Sequence, residues 1–304
     1  MGKKSKKINY DLGENIHDNV NRNQINWFPG HMNKAIKKIR ESIKKVDIVL
    51  EIRDARSPLV TSNKLIKEAI GQKSHLVVFN KTNLANLDIV KDWEKWFQSK
   101  GMKFVFINSF DKKSLNKIIS YANEIVQTKW KQSNPNGVSR QNLRMMTIGL
   151  PNTGKSTIIN RLANRNASKV ANKPGQTQQQ IWIKVDKNLE ILDTPGVMPP
   201  KIDKYEHGLW LTALHAIPDT VVSSEVPACF IVEHLLETNS KEFKSRYSLS
   251  SEDNDLISVL NKIAVLRGCL LKKGEYDYDR VYSIILTDFR DGTLGRVSLG
   301  LPPK

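Results

Sequence analysis

The strongest constraint on this chain is the order of its motifs. Gly149-Leu-Pro-Asn-Thr-Gly154-Lys155-Ser156 lies near the middle of 304 residues, after a β-rich run (144–148) and before a helical one (155–164). Glycines let a backbone wrap phosphates, and the free N–H groups of the next helix face their charge. Lys155 is expected to reach the β- and γ-phosphates, with Pro151, Asn152, Thr153, Gly154 and Thr157 around them and the Ser156 hydroxyl on Mg²⁺. Asp193-Thr-Pro-Gly196 ends another β-rich run, where Asp193 can hold Mg²⁺ through water and the Gly196 N–H can meet the γ-phosphate. Between them, Thr177 in Pro174-Gly-Gln-Thr177 is a candidate second hydroxyl for Mg²⁺. A segment of the kind that reads a guanine base, Asn80-Lys81-Thr82-Asn83, comes before the phosphate loop instead of after it, which is the ordinary order. The parts describe a permuted molecular switch.

Around these motifs, short β-rich runs at 47–52, 75–79, 103–107, 144–148, 181–185 and 189–192 alternate with helical stretches near 60–70, 87–100, 114–130 and 155–164. That alternation predicts an α/β fold, a mostly parallel sheet with helices on both faces. Residues 131–142 are polar and rich in breakers, and read as a linker between a base-reading half (25–130) and a phosphate-binding half (143–200). From residue 204 to 304 the pattern is mainly helical, with helices expected over 204–217, 224–237, 253–267 and 277–290. A smaller helical domain follows, with basic residues scattered through its end. Met32, Ile36, Ile39, Ile43 and Val46 recur at helical spacing, with lysines elsewhere on the wheel. Packing that apolar stripe against the chain's own sheet is favoured over binding membrane or nucleic acid.

The formal net charge of +17 points to a polyanionic partner, either nucleic acid or an anionic lipid surface. No uninterrupted apolar run approaches the ~18 residues of a membrane span. Cys229 and Cys269 lie far apart without metal-ligand spacing, which fits a reducing compartment. Residues 1–24 read as a flexible basic arm and carry no apolar stretch of a secretory signal. A cytoplasmic protein is expected.

Trp27-Phe-Pro-Gly-His31-Met, Asp54-Ala-Arg-Ser-Pro58, Asn80-Lys81, the phosphate loop, Pro174-Gly-Gln-Thr177 and Asp193-Thr-Pro-Gly196 together resemble the circularly permuted ribosome-biogenesis GTPases of the YlqF/RbgA type, which have mitochondrial relatives. The likeness continues through Arg267-Gly-Cys-Leu270 and from Asp279 to Arg296. It implies a permuted G domain, a helical RNA-binding domain, GTP hydrolysis with Mg²⁺, and the precursor of the large ribosomal subunit with its rRNA as partner. A monomer off the ribosome is expected. By position, Asn108 and Ser109 match the loop that lines the base.

Two departures bear on chemistry. The base-reading motif normally ends in Asp, which accepts from both the ring N–H and the exocyclic amine of guanine; Asn83 offers one acceptor, and its NH₂ faces a second donor. Many G proteins place a glutamine after the DxxG glycine to orient water, and this chain has Val197 there. Turnover is therefore expected to be slow in isolation. His31 is a candidate catalytic group, since the matching family histidine has been proposed to act on the water; the alternative is that it caps the helix that follows Gly30. By resemblance, Asn152 is associated with a K⁺ ion that stands in for an arginine finger; otherwise it stabilises the loop. A small-molecule kinase, a membrane-surface GTPase and an RNA-binding module with incidental hydrolysis are the competing readings.

Overall fold

A computed structural model describes residues 31–137, 142–163, 180–272 and 274–303. The element order is α1 (His31–Ile43), β1 (Ile48–Asp54), α2 (Lys64–Ile70), β2 (Ser74–Asn80), α3 (Leu87–Ser99), β3 (Phe104–Phe106), α4 (Lys112–Ser133), β4 (Leu143–Gly149), α5 (Lys155–Leu162), β5 (Ile181–Lys184), β6 (Leu189–Asp193), then α6 (Tyr205–Ala213), α7 (Glu225–Glu237), α8 (Lys241–Arg246), α9 (Leu256–Leu266) and α10 (Tyr278–Asp291).

The strands form one six-stranded sheet in the order β3-β2-β1-β4-β6-β5, parallel except for β5, which runs antiparallel to β6. All residues of β1 are buried, because helices cover both of its faces. Ile48, Leu50 and Ile52 point into one core with Ile118 and Ala122 of α4 and Ile158 and Ile159 of α5. Val49 points into the other, with Ile36, Ile39 and Ile43 of α1 and Ile66 and Ile70 of α2. The apolar stripe of α1 is thus spent on the sheet, while Lys34, Lys37, Lys38, Arg40 and Lys44 stay exposed. Because β1 pairs with β4, the two halves of the chain join at the centre of the sheet, with the phosphate loop at the seam.

The helices of the last third surround their own core, including Ile231, Phe243, Ile263, Val281 and Phe289. A second contact joins them to the sheet: Met198, Ile202, Leu209, Leu211 and Ile217 pack on Leu150 and Met32. The chain end then returns to the base-reading half. The Val297 N–H donates to the Leu84 carbonyl at 2.9 Å and the Leu299 N–H to the Arg56 carbonyl at 2.8 Å.

Several helix bounds differ from the sequence pattern. The helix expected over 204–217 ends at Ala213, since His215 adopts φ 62° and the Ala216 and Ile217 N–H groups fold back onto the Leu211 carbonyl. The helix expected from 253 starts at Leu256, where the Asp255 side chain caps the Ser258 N–H. α8 is short and carries too few apolar positions to show a period. No described helix is long and apolar enough to cross a membrane.

Candidate nucleotide-binding site

The phosphate loop leaves β4 where that strand is pressed against β1. A Cβ on Gly149 would stand 2.2 Å from the Ile52 carbonyl oxygen, so no side chain fits there. The loop then passes through left-handed conformations at Asn152 (φ 58°) and Gly154 (φ 97°). Lys155 is buried and its Nζ donates to the Leu150 carbonyl at 2.7 Å, folding the amine over the loop. Burial pulls this amine down to about 8, with Asp193 opposing. A phosphate would restore the charge-stabilising partner that water supplies elsewhere.

Asp193 ends β6 beside the same loop, and the Ser156 hydroxyl donates to its Oδ2 at 2.9 Å. Burial pushes the Asp193 carboxyl up from its ordinary value against these donors. A hydroxyl and a carboxylate side by side form a hard-oxygen set that suits Mg²⁺, the hydroxyl directly and the carboxylate through water. The following Gly196 lies flat on the loop: a Cβ there would meet the Pro151 nitrogen at 2.7 Å. The Val197 N–H donates to the Gly149 carbonyl at 3.1 Å, while the Val197 side chain joins the α1 core and offers the site no polar group.

The Asn80-Lys81 segment meets this loop from the other half of the sheet. Asn80, buried at the end of β2, donates through Nδ2 to the Thr153 carbonyl at 3.1 Å and accepts at Oδ1 from the Ser109 N–H at 3.1 Å. One side chain therefore ties the phosphate loop to the loop after β3. Lys81 takes φ 67° and sends Nζ to the Asn152 carbonyl at 2.7 Å and to Asp54 Oδ2 at 3.0 Å. The Asn108 side chain turns its own loop by accepting from the Phe110 N–H. Asn83 is exposed. Of the remaining candidates, Thr157 lies in the first turn of α5; Thr177 and the His31 side chain, like Trp27 and Phe28, fall outside what is described.

Behind the base loop sits a pair whose role the sequence did not disclose. Asp54 and Arg56 are both buried, and Arg56 grips the carboxylate with Nε at 3.0 Å and Nη2 at 2.9 Å. Burial alone would raise the Asp54 carboxyl; Arg56 and Lys81 outweigh it and hold the group well below the usual carboxylate range. The Arg56 guanidinium also lies 5.0 Å from the Phe289 ring of α10. A second bridge runs from the phosphate loop, where Asn152 Nδ2 donates to the His215 carbonyl at 2.8 Å. Arg290 of α10 holds that turn by donating to the Thr212 and Ala213 carbonyls and pairing with Asp219. The candidate site is thus fastened to the helical region in two places, behind Lys81 and at Asn152. The Asp-x-Arg spacing was the only trace of the first bridge in the sequence.

Residues 144–263, which begin in the strand leading to the phosphate loop, match the family model described as 50S ribosome-binding GTPase. The ribosome biogenesis GTPase A of Bacillus pumilus is 37% identical over 278 residues, covering 91% of this chain and 99% of that protein. The chain belongs to the ribosome biogenesis GTPase A family. Mitochondrial ribosome-associated GTPase 1 of Bos taurus is 32% identical over 298 residues, covering 91% of this chain and 89% of its own. A crystal structure of GNP-bound YlqF from T. maritima superposes with a TM-score of 0.60 at 24% identity, over 89% of this chain and 99% of that one. At that identity the superposition speaks for the fold, an α/β GTPase sheet followed by a helical region. The elements from α1 to α4 lie before the family-model match.

Proposed function

We propose that this chain hydrolyses GTP in the cytoplasm on assembling large (50S) ribosomal subunits, where bound GTP favours attachment at a late maturation step and hydrolysis favours release. The observation that supports the nucleotide part is the Asn80–Thr153 hydrogen bond, which brings together two motifs whose order along the chain is reversed. Family membership and the exposed basic face of α1 support an rRNA-bearing partner.

Within that pocket, residues 151–157 and the Gly196 N–H take the phosphates, with Lys155 as the charged contact. Asn80, Lys81, Asn83 and the Asn108–Ser109 loop take the base. Ser156 and Asp193 hold Mg²⁺, with Thr177 as a further hydroxyl. Asn152 commits its NH₂ to His215, which leaves its oxygen as a donor for K⁺. With a valine after Gly196, hydrolysis is slow alone and is stimulated by the particle; His31 orients the attacking water. A His31→Ala variant that keeps particle-stimulated hydrolysis removes it from that role.

The proposed release mechanism starts at Gly196. Gly196 rests on Pro151, and the chain runs from there through Met198 and Ile202 into α6. Ordering of residues 174–202 by GTP fixes the orientation of the helical region relative to the sheet. The test is co-sedimentation of tagged protein with 50S precursors, loaded with GDP or a non-hydrolysable GTP analogue. The analogue-loaded form is expected in the particle fraction and the GDP form mostly free. Equal partition of the two overturns the reading.

A further inference from the structure

Away from the nucleotide, the edge of the sheet carries a second recessed surface. β5 pairs in the register Trp182↔Leu192 and Lys184↔Glu190, and Glu190 in turn lies beside Arg144 of β4. Leu192 packs into the core beneath α1, so Trp182, Lys184 and Arg144 share the α1 face of the sheet. A cleft of about 380 Å³ opens there between the end of β1's lead-in, the start of β4 and the β5–β6 hairpin, with Lys184 and Lys187 on its wall. A hollow formed by Lys45, Arg144, Trp182 and Glu190 adjoins it.

Its chemistry is specific. Trp182 is 42% exposed, an unusual setting for the largest apolar side chain, and the Arg144 guanidinium lies 5.6 Å from its ring. Arg144 is neutralised by Glu190 at 3.0 Å, and the Asp47 carboxylate accepts from the Arg144 N–H at 2.8 Å. Lys45, Lys184 and Lys187 have no ion pair among the described residues. The exposed face of α1 extends this surface with Lys34, Lys37, Lys38, Arg40 and Lys44 against a single acid, Glu41. Ser42 Oγ donates to Gln180 Oε1 at 2.7 Å and fixes the start of β5 against α1.

We infer that this corner binds an unpaired nucleotide of RNA, its base stacked on Trp182 and its flanking phosphates on Lys45, Lys184 and Lys187, with the strand continuing along α1. A half-exposed aromatic ring beside cations that have no ion pair among the described residues is the combination that single-stranded nucleic acid uses. A protein partner of apolar character finds only one large ring here, and a flat lipid surface does not reach into a recess. The inference rests on the rRNA partner proposed above and adds where that RNA is held.

The test uses the full chain with GDP and Mg²⁺ and a fluorescent oligouridylate of about ten nucleotides, read by anisotropy. Trp182→Ala is expected to weaken binding about tenfold, the size of one base–aromatic stack, and Trp182→Phe to restore most of it. Lys184→Ala with Lys187→Ala should reduce the slope of log affinity against log salt by about 1.4, two single-strand phosphates. GDP affinity should stay unchanged in all three, which shows the fold intact. Wild-type affinity in Trp182→Ala overturns the site, and so does competition by uridine monophosphate as strong as by the oligomer, which would mark a mononucleotide pocket. If the wild type ignores the oligomer the site also falls, and co-sedimentation with 50S precursors then decides separately whether the rRNA reading falls with it.

Discussion

Asn152 and His215 are joined by a 2.8 Å hydrogen bond from a phosphate-loop side chain to a carbonyl of the helical region, across 63 positions of sequence. Both residues hold positive φ, at 58° and 62°, so each turn is shaped to present one partner to the other. Asn152→Ala loses the bond and leaves an alanine in a left-handed conformation, a combined cost of about 2 kcal/mol. Asn152→Gly loses the bond alone and should cost about half as much. Urea unfolding without nucleotide measures both; wild-type midpoints in the two variants would show that the bridge contributes nothing.

Gly154 is where the two motifs touch. A Cβ there would come within 2.2 Å of Asn80 Nδ2. Gly154→Ala must therefore expel the Asn80 amide from Thr153, and with it the anchor of the Ser109 loop. Calorimetry is expected to show GDP affinity reduced at least about tenfold. Retained affinity would mean that Asn80 acts on the base without the loop contact.

Lys155 gives the site a proton linkage. With burial holding its amine at about 8, the nucleotide-free protein loses this charge as pH rises through 8, and bound phosphates raise the value again. GDP binding at pH 8.5 should take up protons, seen as a dependence of calorimetric enthalpy on the ionisation heat of the buffer, and affinity should fall above pH 8. Lys155→Arg, charged throughout, should show neither effect.

Glu51 gives a stability linkage of opposite sense. Burial would raise its carboxyl, but Arg53, with Nε 2.7 Å away, and His75 outweigh it and set the group at about 2. A depressed folded value means that the stabilisation is complete above the unfolded value near 4.5 and is lost as pH falls toward 2. Between pH 5 and 3 this amounts to about 2 kcal/mol. Glu51→Gln should be less stable at neutral pH and should lose less over that interval in urea titrations. Parallel acid limbs would contradict the assignment.

Asn83 sets a test of base preference. Asn83→Asp restores two-acceptor pairing to guanine and should tighten GDP binding by about ten- to hundredfold. Xanthosine diphosphate, with a carbonyl where guanine has an amine, should bind the wild type better than the variant. No gain from Asn83→Asp would show that guanine is read elsewhere.

Much of the fold is legible in the sequence. Glycines whose Cβ has no room leave marks at fixed spacing, and Gly149 and Gly154 carry them. Alternating β-rich and helical runs indicated a mostly parallel sheet, although the reversed direction of β5 had no local sign, since strand polarity depends on which neighbour pairs. What stayed hidden is long-range and largely carried by backbone. His215 accepts through a carbonyl, and Leu299 reaches Arg56 through an N–H; neither use selects a side chain type. Asp54-Ala-Arg-Ser-Pro58 stood out in the sequence as a family motif, but the use of its buried pair did not, because its partners Lys81 and Phe289 lie far along the chain.

The central strand has a consequence for how the molecule is made. β1 needs β2 on one side and β4 on the other, yet β4 does not begin until Leu143. During synthesis the nascent chain therefore carries its fully buried central strand with one bare edge for the whole time that α2 through α4 are being added. Such an edge invites pairing with other chains. Here the delay is built into the gene order, and the permutation that joins the two halves at their seam makes early folding depend on protection until the second half emerges.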